Sequence, residues 1–366
     1  MNILFSVWNT IQTTLFPWLE EEPDPLTEKE KQFVEVISLM DLDQYMGDYQ
    51  WKGVGRKLKD RLNIMKAFIS KAVYNFETTA ILIEYIRSSK NLRRLCGWEN
   101  RFEVPSEATF SRAFSEFSQG KLTQNIHEAM VKKHYGHKLA GHVSRDSTAV
   151  EAREKPVKKE KAEVHESENK RKRGRPRKDE AVLPKTPKRL DLQINRSPEE
   201  NIKDLPALCD AGCKIDSKGY KTGWNGYKLH IDCIDGDIPV SAVLTSASVH
   251  DSQAAIPLAQ MTSDRVTSLY DLMDSAYDAP QIRLYSEKPG HVPLIDHNPR
   301  RGEKIEMEPA AKKRFGERTP AERINSNLKD NHGGSKIRVK GAEKVMTHLM
   351  FGITVITAAQ IFRLII

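Results

Sequence analysis

Apolar positions along the chain follow two different periods. Up to about residue 137 they recur every three or four residues, as on helices with one buried face. Thr27 followed by Glu30 is a capping-box pair and opens a helix that runs toward Met40. Leu62, Met65, Phe68 and Ile69 form one apolar stripe, and Ile81, Leu82, Tyr85 and Ile86 form another. Gly97 and Pro105 break the pattern, with Leu95 and Trp98 packed at the first of these turns. Pro105 and Ser106 then start a short helix whose inner side carries Phe110, Ala113, Phe114 and Phe117, leaving Thr109, Arg112 and Glu116 outward. A short capped helix after a turn suits the reading element of a helix-turn-helix, with Arg112 facing DNA, but the lack of a basic cluster favours a plain packing helix. One more helix is expected around Asn125–Lys133.

From His142 onward the period shortens to two. HVSRDSTAV reads as a strand with Asp146 near its end, and GYKLHIDCIDGDIPVSAVLTSAS reads as a hairpin turning at Asp-Gly-Asp. Asp251 is placed to cap a helix that contains Pro257; TSLYDLMD is a strand ending at Asp274. A short helix over Ala279–Ser286 and a last strand, HVPLIDHN, follow. Thr319 can cap a late helix with Pro320 and Glu322 in its first turn. The closing run from Met346 to Ile366 is apolar but interrupted by polar residues and Arg363, which predicts a buried helix rather than a membrane span. The expected fold is therefore α/β, a mixed sheet flanked by helices behind an all-helical N-terminal domain. The boundaries are an amphipathic extension over 1–25, a helical domain over 26–137, and the α/β domain over 138–366. That last domain carries a flexible basic insert at about 151–205, a stretch rich in charge and nearly free of aromatics.

Charge sharpens the picture. The chain has 366 residues and a net charge of +8, which favours a polyanionic partner, nucleic acid above all. Residues 151–190 hold 15 Lys or Arg against 8 Asp or Glu, so nearly the whole excess sits in the insert. Within it, KRGRPRK (Lys172 to Lys178) has the Gly-Arg-Pro centre of an AT-hook. In that reading Arg173, Arg175 and Arg177 lie along an A·T-rich minor groove; in the plainer one they bind any DNA backbone as a basic linker. The first 19 residues hold no Asp, Glu, Lys or Arg, but Leu4, Val7, Trp8, Ile11 and Leu15 recur at helical spacing without a basic leader, as in a helix packing on its own protein. Four cysteines make no disulfide framework, and a reducing cytoplasm is expected. Cys209, Cys213, His230 and Cys233 mimic a zinc spacing, yet His230 and Cys233 fall on opposite faces of one strand.

Candidate chemistry lies in three acidic positions far apart in sequence. Asp146 and Asp274 stand at strand ends, and Glu322 stands on a late helix with Arg318 at its mouth and Lys329 two turns further along. Two hard divalent ions about 4 Å apart can activate water and shield a phosphodiester transition state, and three carboxylates suffice to hold them. Asp271 and Asp278 compete with Asp274, but Asp271 is mid-strand and Asp278 lies past the turn. His250 and Asp251 are read as local structure at the sheet edge.

RDST around Asp146, WNGYKLHIDCIDGDIPVSAVLTSASVHDSQ, DLMDSAYDA around Asp274 and the tail motif resemble a bacterial insertion-sequence transposase of the DDE type. The helical segment RLNIMKAFISKAVYNFETTAILIEYIRSSKNLRRLCGW through ATFSRAF is similar to that family's N-terminal domain. One branch carries the signature Tyr-x2-Arg-x3-Glu-x6-Lys; here Phe315, Arg318, Glu322 and Lys329 keep all three spacings, with Phe in place of Tyr. The resemblance implies a ribonuclease-H-like catalytic domain, with Asp146, Asp274 and Glu322 as ligands for Mg2+ or Mn2+. It implies that Arg318 and Lys329 contact DNA phosphates. The implied reaction is hydrolytic nicking at terminal inverted repeats, then attack of the freed 3′-hydroxyl on target double-stranded DNA, carried out by a homodimer that pairs two ends. The rivals are a transposase-derived DNA-binding protein without catalytic activity and a host nuclease on the same fold.

Overall fold

The computed structural model describes residues 25–51, 53, 59–157, 187–215, 219–300 and 302–365. The expected N-terminal amphipathic helix and the Arg173–Arg175–Arg177 segment lie outside them.

Among the described residues, six α-helices form the first part of the chain: α1 (Glu28–Met40), α2 (Arg61–Val73), α3 (Thr79–Ser88), α4 (Lys90–Leu95), α5 (Glu107–Gln119) and α6 (Leu122–Tyr135). Their starts follow local capping. The Thr27 main-chain N–H donates to Glu30 Oε2 at 2.8 Å while Thr27 Oγ1 accepts from the Glu30 N–H, and Asp60, Thr78 and Ser89 cap the next three. Phe110, Ala113, Phe114 and Phe117 of α5 are all buried. On α3 the buried face is Leu82, Ile83 and Ile86, so the stripe is rotated from the expected one and Ile81 is left exposed. Glu116 does not face solvent freely. The buried Arg61 donates to both of its oxygens, at 2.7 and 2.8 Å, and pins α5 to α2.

A single six-stranded sheet follows: β1 (Leu139–Glu151), β2 (Asp210–Ile215), β3 (Lys221–Ile234), β4 (Ile238–Ser246), β5 (Thr267–Met273) and β6 (Val292–Ile295). Strand β1 is central, antiparallel to β3 on one side and parallel to β5 on the other; β4 and β2 pair with β3, and β6 runs parallel beside β5. The hairpin between β3 and β4 turns through left-handed Gly236 and Asp237, φ 82° and 59°, which is why Asp-Gly-Asp suits this position. Between β4 and β5 lies α9 (Ser252–Ser263), and α10 (Pro280–Glu287) connects β5 to β6. Before β2, two short helices, α7 (Arg189–Gln193) and α8 (Pro198–Asp204), pack on α9. This overturns the expectation of a flexible insert as far as residue 205: Leu190, Ile194 and Leu205 supply apolar anchors that the surrounding charge obscures.

The chain ends with α11 (Pro309–Phe315), α12 (Thr319–Asn331) and α13 (Ala342–Ile365). Helix α13 is long and apolar enough to cross a membrane, yet it lies inside the protein. One side, Phe351, Val355, Ala358 and Ile361, completes the helical core, where Phe68 meets the rings of Phe110, Phe114 and Phe351 with centroids 5.1–5.6 Å apart. Its other side, Val345, Leu349, Ile353 and Ile356, packs with Leu229, Ile231, Ile324 and Leu328 against the sheet and α12. A helix wedged between two cores must be apolar all round, which explains its composition.

Candidate active site

Side chains alternate faces along β1, so neighbours Arg145 and Asp146 point opposite ways. Arg145 turns toward α9. It is buried and gives two parallel hydrogen bonds to Asp232 of β3, at 2.7 and 2.6 Å, and Thr262 of α9 donates to the same carboxylate at 2.7 Å. Asp146 turns toward α12, where Asn325 Nδ2 donates to its Oδ2 at 3.1 Å.

Strand β5 brings the second carboxylate. Arg145 is level with Met273 in the parallel register, so Asp146 and Asp274 are the next residues on adjacent strands. Asp274 follows the last strand residue and caps the short turn Ser275–Tyr277, accepting the Ala276 N–H at 2.9 Å. Helix α12 brings the third. Its entry is held by the Ser144 hydroxyl, which donates to the Arg318 carbonyl, and Arg318 donates to Glu322 at 2.5 Å. The Arg318 guanidinium lies 5.7 Å from the Phe315 ring centroid, a contact the missing Tyr hydroxyl does not disturb. Thr319 is not the cap of this helix. The preceding turn, Gly316–Arg318, runs straight into α12, and the Thr319 hydroxyl accepts from Arg323 instead.

Electrostatics tie these groups together. Burial pushes the Asp146 carboxyl up to about 6; the charges of Asp274 and Glu322 push the same way, while the Ser147 N–H and the Arg318 guanidinium pull it back. Burial also raises Asp274, opposed by the Ala276 N–H and Arg318. Lys329, half-buried on the same helix, is lowered by burial first and then by the charge of Lys214, and it feels Asp146. Asp146 thus senses Asp274, Glu322, Arg318 and Lys329 at once, although the sequence spreads them over nearly two hundred positions.

The competing acids go elsewhere. Asp271 faces the Arg145 side, near His291 at 3.4 Å, and Asp278 pairs with Arg283 at 2.8 Å. Asp251 precedes α9 but makes no capping bond; its carboxylate binds Lys228 at 2.8 Å, and its charge reaches Asp274. Sequence reasoning missed Asn325, Lys214 and Lys228, which have no motif of their own. Arg112 is exposed on α5, bonded to Thr109 and in a different part of the molecule from the carboxylates.

Among the described residues, no three His, Cys, Asp or Glu side chains stand close enough to hold one metal ion between them. The donor chemistry nevertheless fits hard divalent ions. Asp146 and Asp274 are desolvated, the more exposed Glu322 adds its charge beside them, and Mg2+ needs only one or two protein carboxylates per ion because it keeps waters. A bound cation would relieve the strain that lifts the Asp146 carboxyl, and the orphaned buried Asn325 Oδ1 beside it offers one more oxygen.

Comparison with known proteins points the same way. A family model described as Transposase DDE domain matches residues 138–358, and another described as Transposase domain (DUF772) matches residues 21–116. No curated protein and no solved structure matches the chain. With the first match spanning more than half its length, and the second covering most of the helical region before it, the chain belongs to the insertion-sequence transposases with a DDE domain.

Proposed function

We propose that Asp146, Asp274 and Glu322 are the catalytic carboxylates and that the protein nicks DNA at terminal inverted repeats and joins the freed 3′-hydroxyl to target DNA. The observation that carries this reading is the shared neighbourhood of the three acids: Asp146 within β1, Asp274 just past the end of the adjacent parallel β5, and Glu322 on the helix packed against β1, close enough for Asp146 to feel both other charges. The mixed sheet, antiparallel on one side of β1 and parallel on the other, supports a ribonuclease-H-like domain from about residue 138. The helical region before it is read as the DNA-binding domain, with Arg112 on an exposed face.

In this reading Asp146 and Asp274 would hold Mg2+ or Mn2+ with Glu322. When bound, such ions activate the attacking oxygen and neutralise charge on the transferring phosphate. The chain's own residues do the rest. The sheet keeps Asp146 and Asp274 level, α12 carries Glu322 over them, and Arg318 and Lys329 flank the acids as anchors for DNA phosphates. In the first step water attacks phosphorus and the bond to the 3′ oxygen breaks, leaving a 3′-hydroxyl. In the second that hydroxyl attacks a target phosphodiester and displaces the target's own 3′ oxygen, so no protein–DNA bond forms. Pairing two transposon ends calls for a homodimer acting on DNA in the bacterial cytoplasm. Arg173, Arg175 and Arg177 add minor-groove or backbone contacts.

The test is nicking of end DNA with Mg2+ by the wild type and Glu322→Gln. Cleavage by the wild type alone is expected. Equal cleavage by both removes Glu322 from the chemistry, and DNA binding without cleavage by either selects the non-catalytic rival. Cleavage without preference for an inverted-repeat end selects the nuclease.

A further inference from the structure

Helix α12 buries Ala321, Ile324 and Leu328 against the sheet, and one polar residue breaks that apolar face. Asn325 is 6% exposed. Its Nδ2 donates to Asp146 Oδ2 at 3.1 Å, and its Oδ1 is buried without a hydrogen-bond partner. A carboxylate only accepts, so the amide must turn its nitrogen to Asp146, and the orphan oxygen then lies on the same amide group, beside the acid. Buried polar atoms without partners are rare, and packing alone would favour an aliphatic residue here. Asn325 also follows Glu322 by three positions, so the two are neighbours on the helix, Asn325 buried against the sheet and Glu322 at the more exposed edge of the same site.

We propose that Asn325 is the positioning residue of the metal site. Nδ2 fixes the Asp146 carboxylate so that its second oxygen stays free for the ion, and Asn325 Oδ1 accepts a hydrogen bond from water carried by that ion. This rests on Asp146 being a metal ligand. Residues that orient a metal-binding side chain usually matter for affinity by about 10- to 100-fold when removed. A purely structural Asn would affect unfolding and leave affinity alone.

The experiment is calorimetric titration of the full chain with Mn2+ in the absence of DNA, with thermal unfolding recorded alongside. Four proteins are compared: wild type, Asn325→Leu, Asn325→Asp and Asp146→Asn. Asn325→Leu keeps the volume and loses both polar atoms; its Mn2+ affinity should fall about 10- to 100-fold. Asn325→Asp keeps an oxygen at the same place and gains charge. It should unfold at lower temperature without metal, from repulsion against Asp146, and bind Mn2+ at least as tightly as the wild type. Asp146→Asn should lose binding. If Asp146→Asn loses binding while Asn325→Leu binds like the wild type, the role of Asn325 is overturned. If Asp146→Asn itself binds Mn2+ like the wild type, the metal-ligand reading fails first. Should Asn325→Leu not fold, Asn325→Ala takes its place, and Mn2+ affinity equal to the wild type's would overturn the proposal.

Discussion

Arg145 and Asp146 are consecutive on β1 and live in opposite worlds. On the α9 face every strong charge has an answer: Arg145 meets Asp232 through two bonds, and Thr262 and Ser241 extend the network into the core. On the α12 face the acids outnumber their partners. Burial and neighbouring carboxylates lift Asp146 to about 6, one amide holds it, and Arg318 shares itself among Glu322, Asp274 and Asp146. The same strand therefore separates a face built for stability from one left electrostatically incomplete, and the incomplete face is the one on which we propose the catalytic site.

The largest expected effect is on chemistry. Asp146→Asn should lower end-DNA cleavage on the order of a hundred- to a thousandfold, with the denaturant midpoint at neutral pH unchanged or raised, because the buried charge is gone. Cleavage near the wild-type rate would erase the distinction between the faces. Across the strand the effect should be on folding. Arg145→Leu leaves Asp232 buried without its counter-charge and should cost about 3–5 kcal/mol in equilibrium unfolding. Replacing Asp232 by Leu as well should recover much of that loss.

Acid should push the two faces in opposite directions. His230, on the Arg145 side and bonded to Thr245 at 2.9 Å, is pushed down to about 4 by burial. It stays neutral when folded but takes a proton below about 6.5 when unfolded, so its contribution is complete above that pH and is lost as pH falls toward 4. Asp146 has the reverse sign. Its folded value is raised, so acidification through about 6 favours the folded state. Unfolding measured from pH 7 to 4 should change slope by up to about 1.4 kcal/mol per pH unit in His230→Gln, flattening the acid loss, and steepen in Asp146→Asn. Identical slopes in all three proteins would contradict both assignments. The smallest effect is expected at Lys329. Lys329→Ala should reduce the salt slope of DNA binding by about 1 without touching stability.

Much of this was legible because it is encoded locally. The Thr27–Glu30 pair sets the start of α1, the phenylalanines of α5 face inward, and the Asp-Gly-Asp turn makes the hairpin. Asp274 does stand just past a strand end, as expected, but Asp146 does not: β1 runs on to Glu151 and stays paired with β3, so Asp146 lies mid-strand, and only its partnership with β5 stops there. What stayed hidden depends on tertiary neighbours. Asn325 looks like any polar residue on a helix until the sheet covers it, and Asp251 stands where a cap belongs but finds Lys228 instead. Helices α7 and α8 were masked by their own charge, since only Leu190, Ile194 and Leu205 reveal a buried side.

The convergence of Asp146, Asp274 and Glu322 on divalent ions is tested most directly by diffraction from crystals soaked in Mn2+, recorded near the metal absorption edge. Anomalous peaks within about 2.2 Å of carboxylate oxygens from all three residues are expected. Saturating Mn2+ that binds elsewhere and leaves these three acids without a peak would contradict it.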